Sequence, residues 1–539
     1  MDIVLKNVRI PDFRKLRFES VNVGLSGNLI SGVSSDSIKG KKVIDCKNAI
    51  LSPGLIDCHC HIESSYLTPS LFGDAVSKFG TLFVVADCHE ISNVAGKKGL
   101  KFFFSNSVFS GCNIYFAVPS CVPASDFATS GGRLDEEDIK ELLEDEKVVA
   151  LGELMNIPAV LNREEKILRI IKKAKMLGKR VNGHAPGLTG ENLKAYFSVG
   201  IEDDHESETY HELLEKISVG ARVFIREGSA EHTEQKAYKV IQEYGNQVMF
   251  CTDDKTINHI LETGHINYHL RKAVKSGINP VLALKCGSYN GLNYYGLSKY
   301  AEVKEGNYAH LVLFNNEKDF NPEFVIVNGE IKDTAFVSGN IPDFLLNSFK
   351  VNLIEQLPEI EEKIKHIAIK VNNGSLITDA VEVSKDLPEY NPENDLLKIV
   401  VIERYGKGNR FAARIKGFGI KNGALASSLA HDCHNVLAVG SSDSHIKKVV
   451  NKVIENHGGL AVYDGEEVYF VPLPVGGIVS NENPVKLAKE IENLKIKAKK
   501  VSPALSDPLA TLSFMALEVI PHLKITDRGL FNVDKFEYV

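Results

Sequence analysis

Ile50-Leu51-Ser52-Pro53-Gly54-Leu55-Ile56-Asp57-Cys58-His59-Cys60-His61 is an apolar run that ends in two histidines one residue apart. Extended backbone places alternate side chains on one face, so His59 and His61 point the same way, where two imidazoles can hold one metal ion. Cys58 and Cys60 then point to the other face and read as packing residues, while Cys88 is undetermined. A His-x-His pair alone says little. Its weight comes from further apolar runs that also end in ligand-type residues.

Those runs follow at regular intervals. Residues 49–56 lead to His59 and His61, 81–86 to Asp87-Cys88-His89-Glu90, and 113–118 to Pro119-Ser120-Cys121. Residues 148–151 lead to Glu153, 179–182 to His184, and a short run near 201 to Asp203-Asp204-His205-Glu206. Residues 221–225 lead to Arg226-Glu227-Gly228, and 247–251 to Thr252-Asp253-Asp254. Helical patterns lie between them, at 135–146, 163–177, 206–217 and 231–244. Eight strand–helix alternations predict a TIM-like (β/α)8 barrel, whose chemistry gathers at the C-terminal strand ends. Seven of the eight runs end in His, Glu, Asp or Arg.

The flanks complete an α/β architecture of three parts. Short strands at 3–10, 19–25, 29–33 and 42–45, and again at 301–303, 310–314 and 324–327, predict one small β-sandwich domain from residues 1–50 plus 300–345. The barrel takes 51–299, with a helical stretch at 256–276 after its last strand. Residues 346–539 read as a C-terminal α+β domain, with strands near 397–403 and 468–471 and helices near 446–456 and 484–494.

Bulk properties narrow the function. A 539-residue chain with 44% hydrophobic and 25% charged residues is ordinary for a globular protein of several domains. Its net charge of −7 gives no basic face for nucleic acid. The basic run Lys495 to Lys500 reads as a solvated helix face. The opening Met1 to Lys6 lacks the charged start and long apolar middle of a signal peptide, so none is expected; no apolar run approaches membrane length, and nine scattered cysteines suit a reducing cytoplasm. A cytoplasmic protein without membrane or nucleic-acid partners is therefore expected, with a homodimer as the default assembly. No phosphate-cradling Gly-rich loop occurs.

His59, His61, Glu153, His184, His205 and Asp253 form a nitrogen-and-carboxylate set of the kind borderline divalent metals favour. Four histidines and two carboxylates exceed one tetrahedral site with an open position. They suit two ions about 3.5–4 Å apart that share a carboxylate and a hydroxide. Manganese, iron and zinc all fit such ligands.

At these residues the chain resembles the amidohydrolase superfamily, and more closely the adenine deaminases of bacteria and archaea. The resemblance is carried by Pro53-Gly54-Leu55-Ile56-Asp57-x-His59-x-His61, His61-Ile62-Glu63-Ser64-Ser65, Asp87-x-His89-Glu90, Gly152-Glu153-Leu154-Met155-Asn156 and Gly183-His184-Ala185-Pro186-Gly187. Asp204-His205-Glu206, Arg226-Glu227-Gly228-Ser229 and Thr252-Asp253-Asp254 continue it, and Gly423 to Asp432 extends it into the last domain. It departs at Cys58, Cys60, Cys88 and His310, none of them an expected ligand.

The resemblance implies hydrolysis of adenine, a small purine base, to hypoxanthine and ammonia in purine salvage. Manganese or iron are the expected metals, with zinc as an alternative, and a metal-bridging hydroxide would attack C6. Asp253 is the expected proton carrier. Glu90, Asp254 and Glu63 are candidates for ring-nitrogen protonation or substrate contact, with Ser64 as a further contact. Arg226 faces either the purine or a neighbouring carboxylate. His431 and Asp432 are expected to border the substrate pocket, and a separate metal site at His431-Asp432-Cys433-His434 is the weaker reading.

Two rival readings are weighed. Cyclic amide hydrolases of the dihydroorotase or hydantoinase kind bridge their metals with a carboxylated lysine at strand four, where this chain has Glu153; Lys147 lies before the strand. A non-catalytic scaffold would have lost ligands, and all six are present. The zinc deaminase pattern H-x-E with P-C-x-x-C is only half present, at His61-Ile62-Glu63.

Overall fold

The computed structural model describes residues 1–332 and 336–539, which divide into two compact units. The first comprises residues 1–88, 103–121 and 136–339. The second comprises 89–102, 122–135 and 340–539. Two segments inside the sequence range of the barrel, 89–102 and 122–135, thus group with the C-terminal residues.

The first unit contains the eight barrel strands in two parallel arcs. Strands one to five are Leu55–Cys60, Thr81–Asp87, Asn113–Val118, Val148–Leu151 and Arg180–Val181, paired in that order. Strands six to eight are Asp203–Asp204, Arg222–Arg226 and Val248–Cys251. The ring closes between strands one and eight through a parallel bridge from Cys60 to Asp253. At the other seam Glu202 N donates to Val181 O at 3.0 Å, and Asn182 Nδ2 donates to Asp203 Oδ2 at 2.7 Å. Ile56, Phe83, Ala117, Ala150, Phe224 and Phe250 are among the buried residues of its core.

The expected first strand, 49–56, is in fact two. Ile50–Pro53 belongs to the small sheet and pairs antiparallel with Leu311–Phe314, while the barrel strand begins at Leu55. Pro53-Gly54 makes the break, and a side chain at Gly54 would come within 2.7 Å of Leu82. His59 therefore lies inside strand one and His61 just beyond it. The small sheet also joins Ile3–Asp12, Arg17–Ser26, Leu29–Ser34, Lys42–Asp45, Pro322–Val327 and Glu330–Ile331, so both flanks of the barrel build it. Residues 301–303, expected as a strand, form bends instead.

Several expected helices are shorter than their sequence pattern, the one at 135–146 being helical only over Glu136–Leu142. The helix after strand six begins at Tyr210, not 206, because Thr209 and Glu212 form a reciprocal capping box. The 231–244 pattern becomes a 3-10 turn, Gln235–Lys239, and the short helix Val240–Tyr244.

The second unit is built on an eight-stranded sheet. Its strands in spatial order are Thr378–Glu382, Ile367–Val371, Arg410–Lys416, Leu397–Ile402, Val436–Gly440, Ala424–Ser427, Gly459–Tyr463 and Val468–Pro472. Helices Asp443–Glu455 and Pro484–Val501 accompany it. Among the described residues no helix is long and apolar enough to cross a membrane.

Glu518 is a buried carboxyl in this unit. Burial raises its pKa to about 7, although the Ser125 hydroxyl donates to its Oε1 at 2.5 Å. A folded-state pKa above the unfolded value favours the protonated form. This stabilisation is complete below about pH 4 and is lost as pH rises through 7. Glu518→Gln removes the ionisation, so its melting temperature relative to wild type should rise between pH 5 and pH 8, reflecting up to roughly 3 kcal/mol. Calorimetry at the two pH values checks this; a constant difference would contradict it.

Candidate metal centre

Each expected ligand sits at or just past the C-terminal end of its strand, and the backbone fixes each one separately. Asp253 lies two residues beyond strand eight with φ of 56°, a left-handed conformation that Asp tolerates better than most residues. Its N–H donates to His59 O at 3.0 Å, and His61 N–H donates to Asp253 O at 3.1 Å. Below them, buried Asp57 accepts from Thr252 N at 3.1 Å and from Thr252 Oγ1 at 2.5 Å. These bonds lock strand one to strand eight beneath the ligands.

His61 Nδ1 lies 2.7 Å from Asp87 O, so Nδ1 is the protonated nitrogen and Nε2 faces the Glu153 and Asp253 carboxylates. Glu153 N–H donates to Asp87 Oδ2 at 3.0 Å, and Ser120 Oγ donates to Glu153 O at 2.6 Å. Gly152 allows this approach, since a Cβ there would sit 2.1 Å from Asp87 Oδ2. His184 N–H donates to Tyr196 Oη at 2.9 Å, and Tyr196 donates to Leu154 O at 2.8 Å.

The side chains converge as two histidine pairs around one carboxylate. His61 Nε2 lies 3.6 Å from Glu153 Oε1. On the other side, His184 Nδ1 is 2.8 Å and His205 Nε2 is 3.4 Å from Glu153 Oε2. Asp253 Oδ1 lies 3.1 Å from His61 Nε2 and 3.4 Å from His59 Nε2. The His59 ring stacks on His205 at 4.0 Å between centroids. All six residues expected as ligands are thus brought together, and Glu153 has one oxygen toward each histidine pair.

The donor set fits metal binding. His59 Nε2 and His205 Nε2 are buried but make no hydrogen bond of proper geometry among the described residues, although carboxylate oxygens surround them. Buried polar atoms of this kind normally have partners, and nitrogens aimed at shared carboxylates are arranged for a cation. The electrostatics agree. Burial opposes charge on Glu153, yet His184 and His61 hold its carboxyl well below the usual range. Burial opposes charge on Asp253 too, and the His59 and His61 contacts outweigh it. Burial lowers His184, but Glu153 and Glu206 raise its ring to about 9. The carboxylates demand positive charge at the centre of the cluster.

The amidohydrolase family model matches residues 50–332, and the adenine deaminase C-terminal domain model matches residues 375–537. Over the whole chain, identity is 35% to the adenine deaminase of Thermosipho africanus, covering 96% of that protein. It is 37% to that of Archaeoglobus fulgidus and 38% to that of Dehalococcoides mccartyi strain 195, covering 95% and 96% of those chains.

The chain belongs to the adenine deaminase family of amidohydrolases.

The remaining expected site residues of this adenine deaminase family member fall into three groups. Ser64 donates its hydroxyl to Asp254 Oδ1 in a short contact, and Glu63 lies buried against the Cys88 thiol. Arg226, with 2% of its side chain exposed, has three carboxylate partners: Asp253 Oδ2 at 3.0 Å, Glu206 Oε1 at 2.5 Å and Glu231 Oε2 at 3.0 Å. Of the two readings the sequence allowed for Arg226, the ion pairs are present. Cys58 is packed outward, because a Cβ on Gly291 would meet its Sγ at 2.5 Å.

Glu90 belongs to the second unit. It is buried, with Oε1 2.5 Å from His431 Nδ1 and Oε2 in a short contact with His434 Nε2. Burial opposes its charge, but His434 and His431 hold the carboxyl well below the usual range. His431 stacks on Phe514 at 4.7 Å, and His89, Glu90 and Asp432 form a further ligand-type cluster. The sequence singled out these residues without revealing that Glu90 is their common partner. It also gave no role to Glu206, Asp57 or Asp87.

Metal binding has a direct readout. Manganese added to metal-depleted protein should raise its melting temperature, because the ion binds the folded site; at 100 times its Kd this is worth about 2.7 kcal/mol. The double variant His59→Ala/His61→Ala should lose most of that shift. An undiminished shift in the double variant would contradict the assignment.

Proposed function

We propose that this chain is a hydrolytic adenine deaminase, which adds water at C6 of adenine and releases hypoxanthine and ammonia, using two divalent ions, manganese or iron. The observation that carries the dinuclear reading is the split of Glu153, with Oε1 toward His61 and Oε2 toward His184 and His205. A carboxylate so shared suits two ions better than one. The substrate follows from full-length similarity to proteins named adenine deaminase.

The ions, held by His59, His61, His184, His205, Glu153 and Asp253, would acidify water so that hydroxide is present near neutral pH. The chain's own residues handle protons and orientation. Asp253 presents Oδ1 to His59 and His61, while Arg226 binds its Oδ2. Its carboxyl is thereby fixed, with Oδ1 placed to take the proton of the attacking water and return it to the departing amine. The bookkeeping closes: one water adds to C6, the C6–N6 bond breaks, and the amino group leaves as ammonia with both protons of that water redistributed between product and leaving group.

Glu63 and Ser64, two and three residues after His61, and Asp254, next to Asp253, are assigned to the purine edge. Ser64 and Asp254 already contact each other, which would hold a donor and an acceptor side by side.

Steady-state kinetics after reconstitution with manganese test this reading, with adenine compared against adenosine, cytosine and dihydroorotate. Ammonia release from adenine should dominate. Asp253→Asn should lower kcat by about 10²–10⁴-fold, the usual contribution of a positioned acid–base group. No ammonia from adenine in folded, manganese-loaded protein would overturn the proposal.

A further inference from the structure

Glu206, partly buried, stands out among the groups without an assigned role. Its Oε1 lies 3.2 Å from His205 Nε2 and 3.6 Å from His184 Nδ1, the same two nitrogens that face Glu153 Oε2. The donor atoms of His184, His205 and Glu206 all lie within 4.8 Å of one another. Arg226 Nη1 is 2.5 Å from the same oxygen and 3.0 Å from Asp253 Oδ2, so one guanidinium nitrogen joins two carboxylates.

Local backbone explains how adjacent residues 205 and 206 reach one site. Successive strand side chains point to opposite faces, which would send Glu206 away from His205. Strand six, however, ends at Asp204. The Glu206 N–H donates to Asp204 Oδ1 at 2.8 Å, and the Ala185 N–H donates to Asp204 Oδ2 at 2.8 Å. Buried Lys216 pairs with Asp204 and holds this turn in place. The chain bends around the Asp204 carboxylate, and both His205 and Glu206 face inward.

We propose that Glu206 is the terminal carboxylate of the ion position formed by His184 and His205, with Arg226 as the positioning residue that holds it beside Asp253. This rests on the dinuclear reading and deepens it. Each ion position then has two histidines and its own carboxylate: His59, His61 and Asp253 on one side, His184, His205 and Glu206 on the other. Glu153 lies between them. Two histidines with one carboxylate is a set that suits iron, and an added hard oxygen ligand moves a site toward manganese and away from zinc. Glu206 is accordingly a determinant of which metal occupies the second position.

The test is metal uptake by the full chain, independent of turnover. Metal-depleted wild type, Glu206→Gln and Glu206→Asp are titrated with manganese by calorimetry, and the loaded proteins are then challenged with zinc. Wild type should bind two ions. E206Q should keep one ion at wild-type affinity and bind the second at least about tenfold more weakly, with easier displacement by zinc. E206D, which keeps the carboxylate, should recover part of the affinity, a rescue that a purely packing role would not produce. Equal melting of the metal-free proteins establishes that the variants fold. Two equally tight ions and unchanged zinc displacement in E206Q would overturn this proposal alone. Fewer than two ions in wild type would overturn the dinuclear reading and this proposal with it.

Discussion

The carboxylate of Glu153 lies between two pairs of imidazoles, and the arrangement of the site follows from that position. One oxygen faces His61, the other faces His184 and His205. Such a group carries one negative charge into a buried cluster where four rings and two further carboxylates also converge. The cluster is stable only if positive charge sits among them. Burial opposes charge on Glu153, but the His184 and His61 rings hold its carboxyl low, and Glu153 in turn raises the His184 ring against its burial. A metal ion held by these residues would supply the same positive charge, which would link folding, metal binding and protonation at one place.

A ring of strand ends supplies the clustered histidines and carboxylates, and the buried residues Asp57, Asp87 and Asp204 position them. Asp57 ties strand one to strand eight, the Asp87 carboxylate accepts the Glu153 N–H while the Asp87 backbone carbonyl meets His61 Nδ1, and Asp204 turns the chain after strand six. Each accepts hydrogen bonds from backbone N–H groups or anchors a ligand's ring. The geometry of each clustered side chain therefore depends on a neighbour close in sequence or on another strand of the ring. Losing one of these carboxylates leaves every ligand in the chain but removes the bonds that aim it.

Much of this was legible because the barrel repeats one pattern. An apolar run followed by a ligand-type residue recurs often enough that the strands, their order and the six residues that converge are legible in the sequence. Three features were not legible. The strand at 49–56 is one apolar run in sequence, but Pro53-Gly54 divides it between two sheets. Glu206 is hidden by alternation, since only the turn around Asp204 brings it to the face of His205. The partner of Glu90 lies 341 residues away at His431, and local patterns carry no information about so distant a pairing. Residues 89–102 and 122–135 illustrate the same limit, because they lie within the barrel's span and yet cluster with the C-terminal unit.

Two ions sharing Glu153 would be visible directly in anomalous diffraction from manganese-loaded crystals. The account predicts two anomalous peaks about 3.5–4 Å apart, one beside His59, His61 and Asp253 and one beside His184 and His205, with Glu153 between them. A single peak, or two peaks that Glu153 does not join, would contradict it.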